Sequence, residues 1–350
     1  MTSFLLKASL ILASASHVLG SCSYGTFLHP RAEEGAPVPI STFGYTGAKG
    51  PVNWVALNPE TNQACATGTK QSPIDMVDGV FQMVSAADVR LEIPDFAEGT
   101  EFENLGTTVE IIAKGGSLQV ANMTYEFKQA HFHLPSEHLD NGTSIAMEMH
   151  MVFQTAQQEI AVIGVFIDLD NGGAPAAAAA APTEAPAPAA EKLRFRIRGE
   201  KRQEEAAPSP AATSAAGSFG GQQGFLTIPM VEAPGVSSTV LETVFSKVEE
   251  IATPGTSTET GPLAMSEIAQ TVLTGSFQSY SGSLTTPPCS EGVRWLVATQ
   301  KLQIQTATFE KVRGVIGFNA RYPQNKPGEP NMLQLAAAAA AGVQAPVATA

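Results

Sequence analysis

Short apolar or alternating segments, separated by Gly, Pro and Asn, run along the chain from residue 45 to residue 170. The clearest are Val109–Ile112, Ser117–Val120, Ser144–Val152 and Ile160–Ile167. Segments of this length between turn-forming residues are typical of β-strands. The pattern resumes after Phe225 with a predicted amphipathic helix, Ser238–Ile251, and strands at Trp295–Thr299 and Leu302–Gln305. The pattern therefore predicts a fold built mainly from strands.

Two segments interrupt this pattern. Residues 171–224 are rich in Ala, Pro, Gly and Gln, and the prolines at 175, 182, 186 and 188 disfavour a helix, so we predict a disordered insertion. The chain from 336 to 350 is Ala-rich, and we predict a flexible tail. The remaining residues, between 21 and 335, suit one domain interrupted by the insertion. The dibasic pair Lys201 and Arg202 inside the insertion is a candidate processing site.

The N-terminus has the order of a secretory signal peptide over residues 1–20. Lys7 precedes the apolar run Ala8–Ala13, which is too short to span a bilayer, and small residues follow up to Gly20. We therefore expect a secreted or extracellular protein. Sequons at Asn122 and Asn141 fit glycosylation on that route. Three cysteines allow one disulfide, and the fate of Cys22, close to the expected cleavage site, stays open.

Composition and charge narrow the class of partner. The 350 residues are 43% hydrophobic and 15% charged, enough to bury a substantial core. A formal net charge of -13 repels nucleic acid and anionic membranes. We expect a small-molecule partner, no nucleic acid and no stable membrane insertion, and the oligomeric state stays open.

Histidines carry the most specific signal. Four of the six fall within twenty positions: His131, His133, His138 and His150. On a strand, His131 and His133 point to one face, and the turn-rich stretch after residue 139 can return the chain so that His150 faces the same point. Three neutral imidazoles leave one tetrahedral position for water, which is the pattern of catalytic zinc, although half-buried strand histidines are the alternative.

Polar residues stand where the ligands would need support. Gln129 and Glu148 each precede a ligand by two positions and can accept its spare ring N–H. Glu137 can act as a base or as a hydrogen-bond acceptor, and spacing alone does not separate these roles. Ligand type indicates Zn²⁺, while cobalt or another divalent ion could occupy the site in vitro.

Six segments, taken in order, resemble the α-class carbonic anhydrases: Phe43–Trp54, Gln71–Asp75, Ala130–His138, Met147–His150, Tyr280–Pro288 and Asn319–Gln324. The resemblance implies an α+β fold with a twisted, mainly antiparallel central sheet, short peripheral helices and a metal at the bottom of a conical cavity. It also implies reversible hydration of carbon dioxide to bicarbonate and a proton. Anions and sulfonamides are the expected inhibitors.

The same resemblance implies roles for individual residues. Thr285 would accept a hydrogen bond from zinc-bound hydroxide and donate to Glu137, and Thr286 would lie beside bicarbonate. His138 would be a structural histidine of the core and not a ligand. The Asn319 carbonyl would receive the spare proton of His133.

The apolar wall for carbon dioxide, also implied by the resemblance, comprises Val152, Val162, Leu284, Val293 and Trp295. Cys65 and Cys289 match the disulfide of the secreted branch. Thr107 stands where fast members carry a proton-shuttling histidine, and Thr cannot store a proton near neutral pH. We expect turnover limited by proton transfer to buffer, with Thr107 and Glu110 as candidates for the proton path.

Two alternative functions remain. One is a non-catalytic binding module of the same fold. The other is a zinc hydrolase acting on esters, because metal hydroxide also attacks activated carbonyls.

Overall fold

The computed structural model describes residues 38–170 and 236–342. All of them belong to one unit of the chain, and the other unit, Ala174–Val231, lies outside the described residues. The predicted signal peptide, Cys22, the predicted insertion with its dibasic pair, and the last eight residues also lie outside them.

Strands dominate the described chain. In order they are β1 (Asp75–Met76), β2 (Gln82–Ser85), β3 (Arg90–Glu92), β4 (Glu101–Asn104), β5 (Val109–Ile112), β6 (Ser117–Val120), β7 (Met123–His133), β8 (Leu139–Asp140), β9 (Met147–Gln154), β10 (Ile160–Asp170), β11 (Ser257–Glu259), β12 (Ser276–Ser283), β13 (Glu291–Ala298) and β14 (Leu302–Gln305). The α-helices are short: α1 (Trp54–Leu57), α2 (Ala64–Thr67), α3 (Thr239–Phe245), α4 (Met265–Leu273), α5 (Thr306–Ile316) and α6 (Met332–Ala340).

Twelve of the strands form one sheet, whose main path runs β11-β4-β5-β7-β9-β10-β13-β12-β2. Neighbours along this path are antiparallel except β10 and β13, and β14 also pairs in parallel with β10. Strands β1 and β8 form a separate two-stranded parallel sheet. The predicted class, a mainly antiparallel sheet with short peripheral helices, is confirmed.

The two faces of the sheet bury different clusters. One face packs against α3, α4 and α5, whose buried residues include Phe245, Ile268 and Val312. The other face carries a smaller apolar cluster that includes Val162 and Trp295. Because β9 is covered on both faces, all eight of its residues are buried, including the polar Glu148, His150 and Gln154.

A bulge in β7 decides which residues face which cluster. Phe127 lies opposite Phe153 of β9, but Gln129 lies opposite Val152, so Lys128 is an extra residue. The bulge reverses the alternation, because side chains on a regular strand change face at every residue. Gln129 and the histidines after it therefore leave the face that holds Phe127.

Several predicted boundaries need correction. The strand expected from Ser144 begins at Met147, and the strand expected from Trp295 begins at Glu291. The helix expected over Ser238–Ile251 begins with a Ser238 side chain that accepts from Leu241 N, but α3 ends at Phe245 and a tighter 3₁₀ turn follows at Val248–Ile251. The flexible tail was expected from residue 336, whereas α6 continues to Ala340. Alanine has the highest helix propensity, and the Asn331 side chain caps the first turn.

Candidate metal centre

Three histidine rings meet on the face of the sheet that carries the smaller apolar cluster. His131 on β7 lies directly opposite His150 on β9, and His133 follows one row further along. Ring centroids are separated by 5.1 Å for His131 and His133, 5.2 Å for His131 and His150, and 4.5 Å for His133 and His150. One nitrogen from each ring lies within 4.8 Å of the others, so the three can hold one metal ion.

Each ring has a partner for the nitrogen that would not bind metal. His131 Nδ1 lies 2.9 Å from Gln129 Oε1, His133 Nδ1 lies 2.9 Å from the Asn319 carbonyl, and His150 Nε2 lies 2.9 Å from Glu148 Oε1. These acceptors require a proton on that nitrogen and leave a lone pair on the other. His133 Nε2 is buried without a hydrogen-bond partner among the described residues. A buried orphan of this kind fits a metal-ligand atom.

Burial keeps the three imidazoles neutral. Desolvation, followed by the neighbouring His133 and His150, holds the pKa of His131 well below its usual value. Desolvation lowers the pKa of His133 to about 4 and also lowers that of His150. Neutral imidazole is the form that coordinates zinc, so the rings are ready to bind metal at neutral pH.

Glu148 joins the third ligand to a buried hydrogen-bonded chain. Its Oε1 lies 2.9 Å from His150 Nε2 and 2.6 Å from His138 Nδ1, and its Oε2 accepts from the His138 backbone N–H. His138 Nε2 then meets the Tyr280 hydroxyl at 2.7 Å, and that hydroxyl meets Ser72 Oγ at 2.8 Å. Both ring nitrogens of His138 are used, in agreement with its expected role in the core.

Burial and charge act in opposite directions on Glu148. Burial alone would raise the pKa of its carboxyl, but the electrostatic interactions with His138 and His150 and the hydrogen bonds from both rings hold that pKa well below its usual value. Glu148 is therefore an anion that orients His150.

Glu137 is a second buried carboxyl group beside the ligand set. Its Oε1 accepts from the Arg321 backbone N–H at 2.8 Å and lies 3.5 Å from His133 Nδ1, while its Oε2 lies 3.9 Å from His150 Nδ1. Burial raises the pKa of Glu137 to about 7, against the lowering effects of His150, the Thr285 side chain and the Arg321 N–H. The carboxylate is thus held near the ligands and close to Thr285.

The five residues expected to form an apolar wall come together in one cluster. Val152, Val162, Val293 and Trp295 are buried in it, and the half-buried Leu284 packs against it. Val152 lies opposite Val162, and Val162 lies opposite Trp295, so three of them form a continuous cross-strand row beside the metal row. The Trp295 indole N–H donates to the Ser283 carbonyl at 3.0 Å, which fixes the ring.

The loop that carries Thr285 and Thr286 is anchored at its end. Cys289 forms a disulfide with Cys65, as the resemblance implied, and its backbone N–H donates to the Thr286 carbonyl at 2.8 Å. Both threonines are buried. The crosslink ties this loop to α2.

The two candidates for a proton path are less open than expected. Thr107 is 8% exposed, and its hydroxyl lies 2.8 Å from the Ser41 hydroxyl. Glu110 lies directly opposite His131 and is fully buried, so it is not a solvated surface residue. The asparagines of the two sequons, Asn122 and Asn141, are both exposed, as glycosylation requires.

Four residues contribute to the site although the sequence analysis assigned no role to them. Tyr280 and Ser72 extend the chain from His138, and Gly164 lies opposite His150, where an added Cβ would approach Glu148 Oε1 to 2.9 Å. The buried Arg321 donates from Nη1 to the Ser72 carbonyl at 2.7 Å, as well as from its backbone to Glu137. Tyr280, Ser72 and Arg321 stand inside the motifs that carried the resemblance, but a motif does not show which atoms meet.

Comparisons with known proteins agree with this geometry. The family model of the eukaryotic-type carbonic anhydrases matches residues 49–180 and 223–329. A carbonic anhydrase of Pectobacterium atrosepticum is 26% identical over 290 residues, which cover 82% of this chain and 87% of the relative.

Solved structures give the same result. The fungal α-carbonic anhydrase of Aspergillus oryzae is 32% identical, with a TM-score of 0.65, and the match covers 84% of this chain and 98% of that one. The α-carbonic anhydrase of Thermovibrio ammonificans in complex with the inhibitor sulfanilamide is 26% identical, with a TM-score of 0.57 and coverage of 83% and 97%. Within the described residues, no helix is long and apolar enough to cross a membrane.

Proposed function

Because this chain belongs to the eukaryotic-type carbonic anhydrase family and is an α-class carbonic anhydrase, we propose that it hydrates carbon dioxide reversibly at a zinc ion held by His131, His133 and His150. The observation that carries the proposal is the hydrogen bonding of the three rings. Each ring uses one nitrogen for a protein partner, and one nitrogen from each ring lies within 4.8 Å of the others.

The residues around the ligands fit a catalytic zinc site. Zinc, when bound, supplies a Lewis acid that lowers the pKa of a coordinated water to about 7, the value established for carbonic anhydrases as a class. Gln129, Asn319 and Glu148 would fix the ring tautomers and orientations. No cysteine among the described residues stands near enough to close the site as a fourth ligand.

Thr285 and Glu137 would act as a positioning pair. The Thr285 hydroxyl would donate a hydrogen bond to the Glu137 carboxylate, in keeping with the lowering effect of the Thr285 side chain on the pKa of Glu137, and its oxygen would then accept a hydrogen bond from the reacting water. Glu137 is held for this role by the Arg321 backbone N–H, and its burial excludes competing water. Thr286 would lie beside the bicarbonate product. Glu137 is therefore a hydrogen-bond acceptor in this proposal and not the general base.

The apolar wall would select carbon dioxide over charged or polar substrates. Carbon dioxide has no net dipole and needs a dry surface close to the metal, which the row of Val152, Val162 and Trp295 offers. Val293 and Leu284 extend this surface. Bicarbonate is an anion that water can displace, so the wall favours turnover.

Proton release would limit the rate. Thr107 cannot store a proton near neutral pH, and the Thr107 hydroxyl is already bonded to Ser41. Glu110 stays a candidate for the proton path because it lies beside His131 on the same face. Exogenous buffer would then accept the proton.

The cellular setting is also part of the proposal. We propose that residues 1–20 are removed as a signal peptide, that the domain is exported, and that Asn122 and Asn141 are glycosylated. The Cys65–Cys289 disulfide supports an oxidising compartment. Processing at Lys201 and Arg202 would give two pieces held by that bridge, which one band on a reducing gel would contradict.

A direct test measures carbon dioxide hydration by the purified protein together with its zinc content. We expect one zinc per chain, loss of activity on chelation, recovery on adding zinc, and inhibition by a benzenesulfonamide. Hydrolysis of an activated ester is measured in parallel, since the zinc esterase reading predicts that it exceeds hydration. Protein with full zinc and no hydration would contradict the proposal and support a binding module.

A further inference from the structure

A cavity near the metal centre is lined by Glu137 but by none of the three ligand histidines. It has a volume of about 340 Å³, within the range of small-molecule sites, and three chain segments line it, around residues 45–52, 135–144 and 318–323. None of the three histidines is among its lining residues. The cavity is therefore a separate space that shares one wall with the metal centre.

The mouth of this cavity exposes apolar side chains to solvent. Val52 is 64% exposed and Phe318 is 57% exposed, and both line the cavity. Tyr45 and Tyr322 add two more aromatic rings to its walls. Exposed apolar residues that are concentrated at a concave site mark binding sites more often than isolated ones do.

Two buried residues with ionisable side chains line the cavity, beside four residues that carry hydroxyl groups. Glu137 and Arg321 are its only lining residues with a formal charge, and their charges are opposite. Both are 1% exposed. The Arg321 Nε is buried without a hydrogen-bond partner among the described residues, and so offers a donor that no protein group uses. Burial of an unused donor has a cost that a ligand oxygen would remove.

We propose that this cavity binds a small, uncharged aromatic molecule that carries a hydroxyl group. Its ring would lie among Tyr45, Phe318 and Tyr322, and its oxygen would accept from Arg321 Nε. A charged ligand is disfavoured because the two formal charges of the lining cancel. The volume admits one or two fused rings.

A ligand in the cavity could affect the metal centre through two side chains that line the cavity and contact His133. The Tyr45 ring lies 6.5 Å from the His133 ring, edge to face, and Glu137 Oε1 lies 3.5 Å from His133 Nδ1. A ligand that moves either side chain changes the environment of a metal ligand. Such coupling is reciprocal, so a ligand of the metal site would also change affinity at the cavity.

The test measures the binding of 2-naphthol by isothermal titration calorimetry. The metal-loaded protein is first saturated with a benzenesulfonamide, which occupies the metal centre. We expect one 2-naphthol to bind per chain. The affinity should be about tenfold weaker in Phe318→Ala, which removes a ring from the wall, and in Ser144→Trp, whose larger side chain would fill the cavity from an exposed position. Met83→Ala is the matched control, because Met83 is 51% exposed and lies outside the cavity. Its affinity should equal that of the wild type.

Three results would overturn the proposal: no binding to the saturated protein, displacement of 2-naphthol by the sulfonamide, or equal affinities in all four proteins. Sulfonamide affinity measured with and without 2-naphthol tests the coupling, and identical values would refute that part. Binding heat does not depend on carbon dioxide hydration. The outcome therefore depends on zinc and sulfonamide binding at the metal centre, but it stands whether or not the protein hydrates carbon dioxide.

Discussion

Replacing Glu137 with Gln should increase stability and reduce activity. The Glu137 carboxyl is 1% exposed, and burial raises its pKa from 4.5 to about 7 in the metal-free fold. The folded state therefore holds a proton that the unfolded state releases. Between these two values, stability falls as pH rises, because the unfolded chain binds fewer protons than the native one.

The magnitude follows from the size of the shift. Each pKa unit corresponds to about 1.4 kcal/mol, so ionised Glu137 costs the metal-free fold about 3 kcal/mol above pH 7. At pH 5 most of this cost is absent, since the native carboxyl is then still protonated. Glu137→Gln has no ionisation to oppose, and its amide oxygen can still accept from Arg321 N. We expect the unfolding free energy of Glu137→Gln, relative to that of the wild type, to be about 2 kcal/mol higher at pH 8 than at pH 5.

Urea unfolding of the metal-free proteins at the two pH values measures this difference. Glu148→Gln is the matched control: Glu148 is equally buried, but its pKa is held well below the usual value. Glu148 contributes stability that is present above the unfolded pKa of 4.5 and is lost only below it, so its replacement should destabilise the protein by nearly the same amount at pH 8 and at pH 5.

The activity of Glu137→Gln completes the test. The substituted amide presents donors where Thr285 needs an acceptor, and we expect kcat/KM of the zinc-loaded protein to fall about 100-fold. A stability difference that is the same at both pH values would refute the reasoning from burial. Full activity in Glu137→Gln would refute the positioning role.

Four further predictions follow from the same contacts. His150→Ala should lower zinc content from one per chain to a small fraction and abolish hydration, as measured by metal analysis and a pH-change assay; full zinc retention would contradict the ligand set. Gly164→Ala should weaken zinc binding about tenfold or more, because the new Cβ approaches Glu148 Oε1 to 2.9 Å; Gly314→Ala, where a Cβ meets nothing within 4 Å, is the control. Replacing Cys65 and Cys289 with Ser should lower the unfolding free energy by about 5 kcal/mol, because the bridge joins residues 224 positions apart; an unchanged urea midpoint would contradict this. Finally, kcat should rise with the concentration of an imidazole-type buffer, and a kcat independent of buffer would exclude proton transfer as the limiting step.

Much of the site could be predicted because its residues lie close together in the sequence. Strand periodicity places His131 and His133 on one face, and the intervening turn returns His150 to the same point, as the direct pairing of His131 and His150 shows. The partners Gln129 and Glu148 follow from the same period of two. Strands β5, β6 and β14 coincide with the predicted segments because turn-forming residues bound them closely.

Contacts between distant segments could not be predicted from the residues alone. Arg321 reaches Glu137 across 184 positions, and Tyr280 reaches His138 across 142. Local patterns contain no information on which loops meet, so these roles depended on resemblance or were missed. The cavity lined by Glu137 was missed for the same reason, since three separate segments line it.

The orientation of the metal ligands depends on a detail that alternation does not show. Strict alternation along β7 would place Tyr125 and Phe127 on the same face as Gln129, His131 and His133. In the fold, Tyr125 and Phe127 belong to the large core together with Ala130 and Phe132, and the histidines face the other side. The extra residue Lys128 reconciles the two patterns, because it reverses the alternation between Phe127 and Gln129. Without the bulge, the histidines would point into the same core as the aromatic residues. One inserted residue therefore lets a single strand, β7, contribute aromatic side chains to the core on one face and metal ligands on the other.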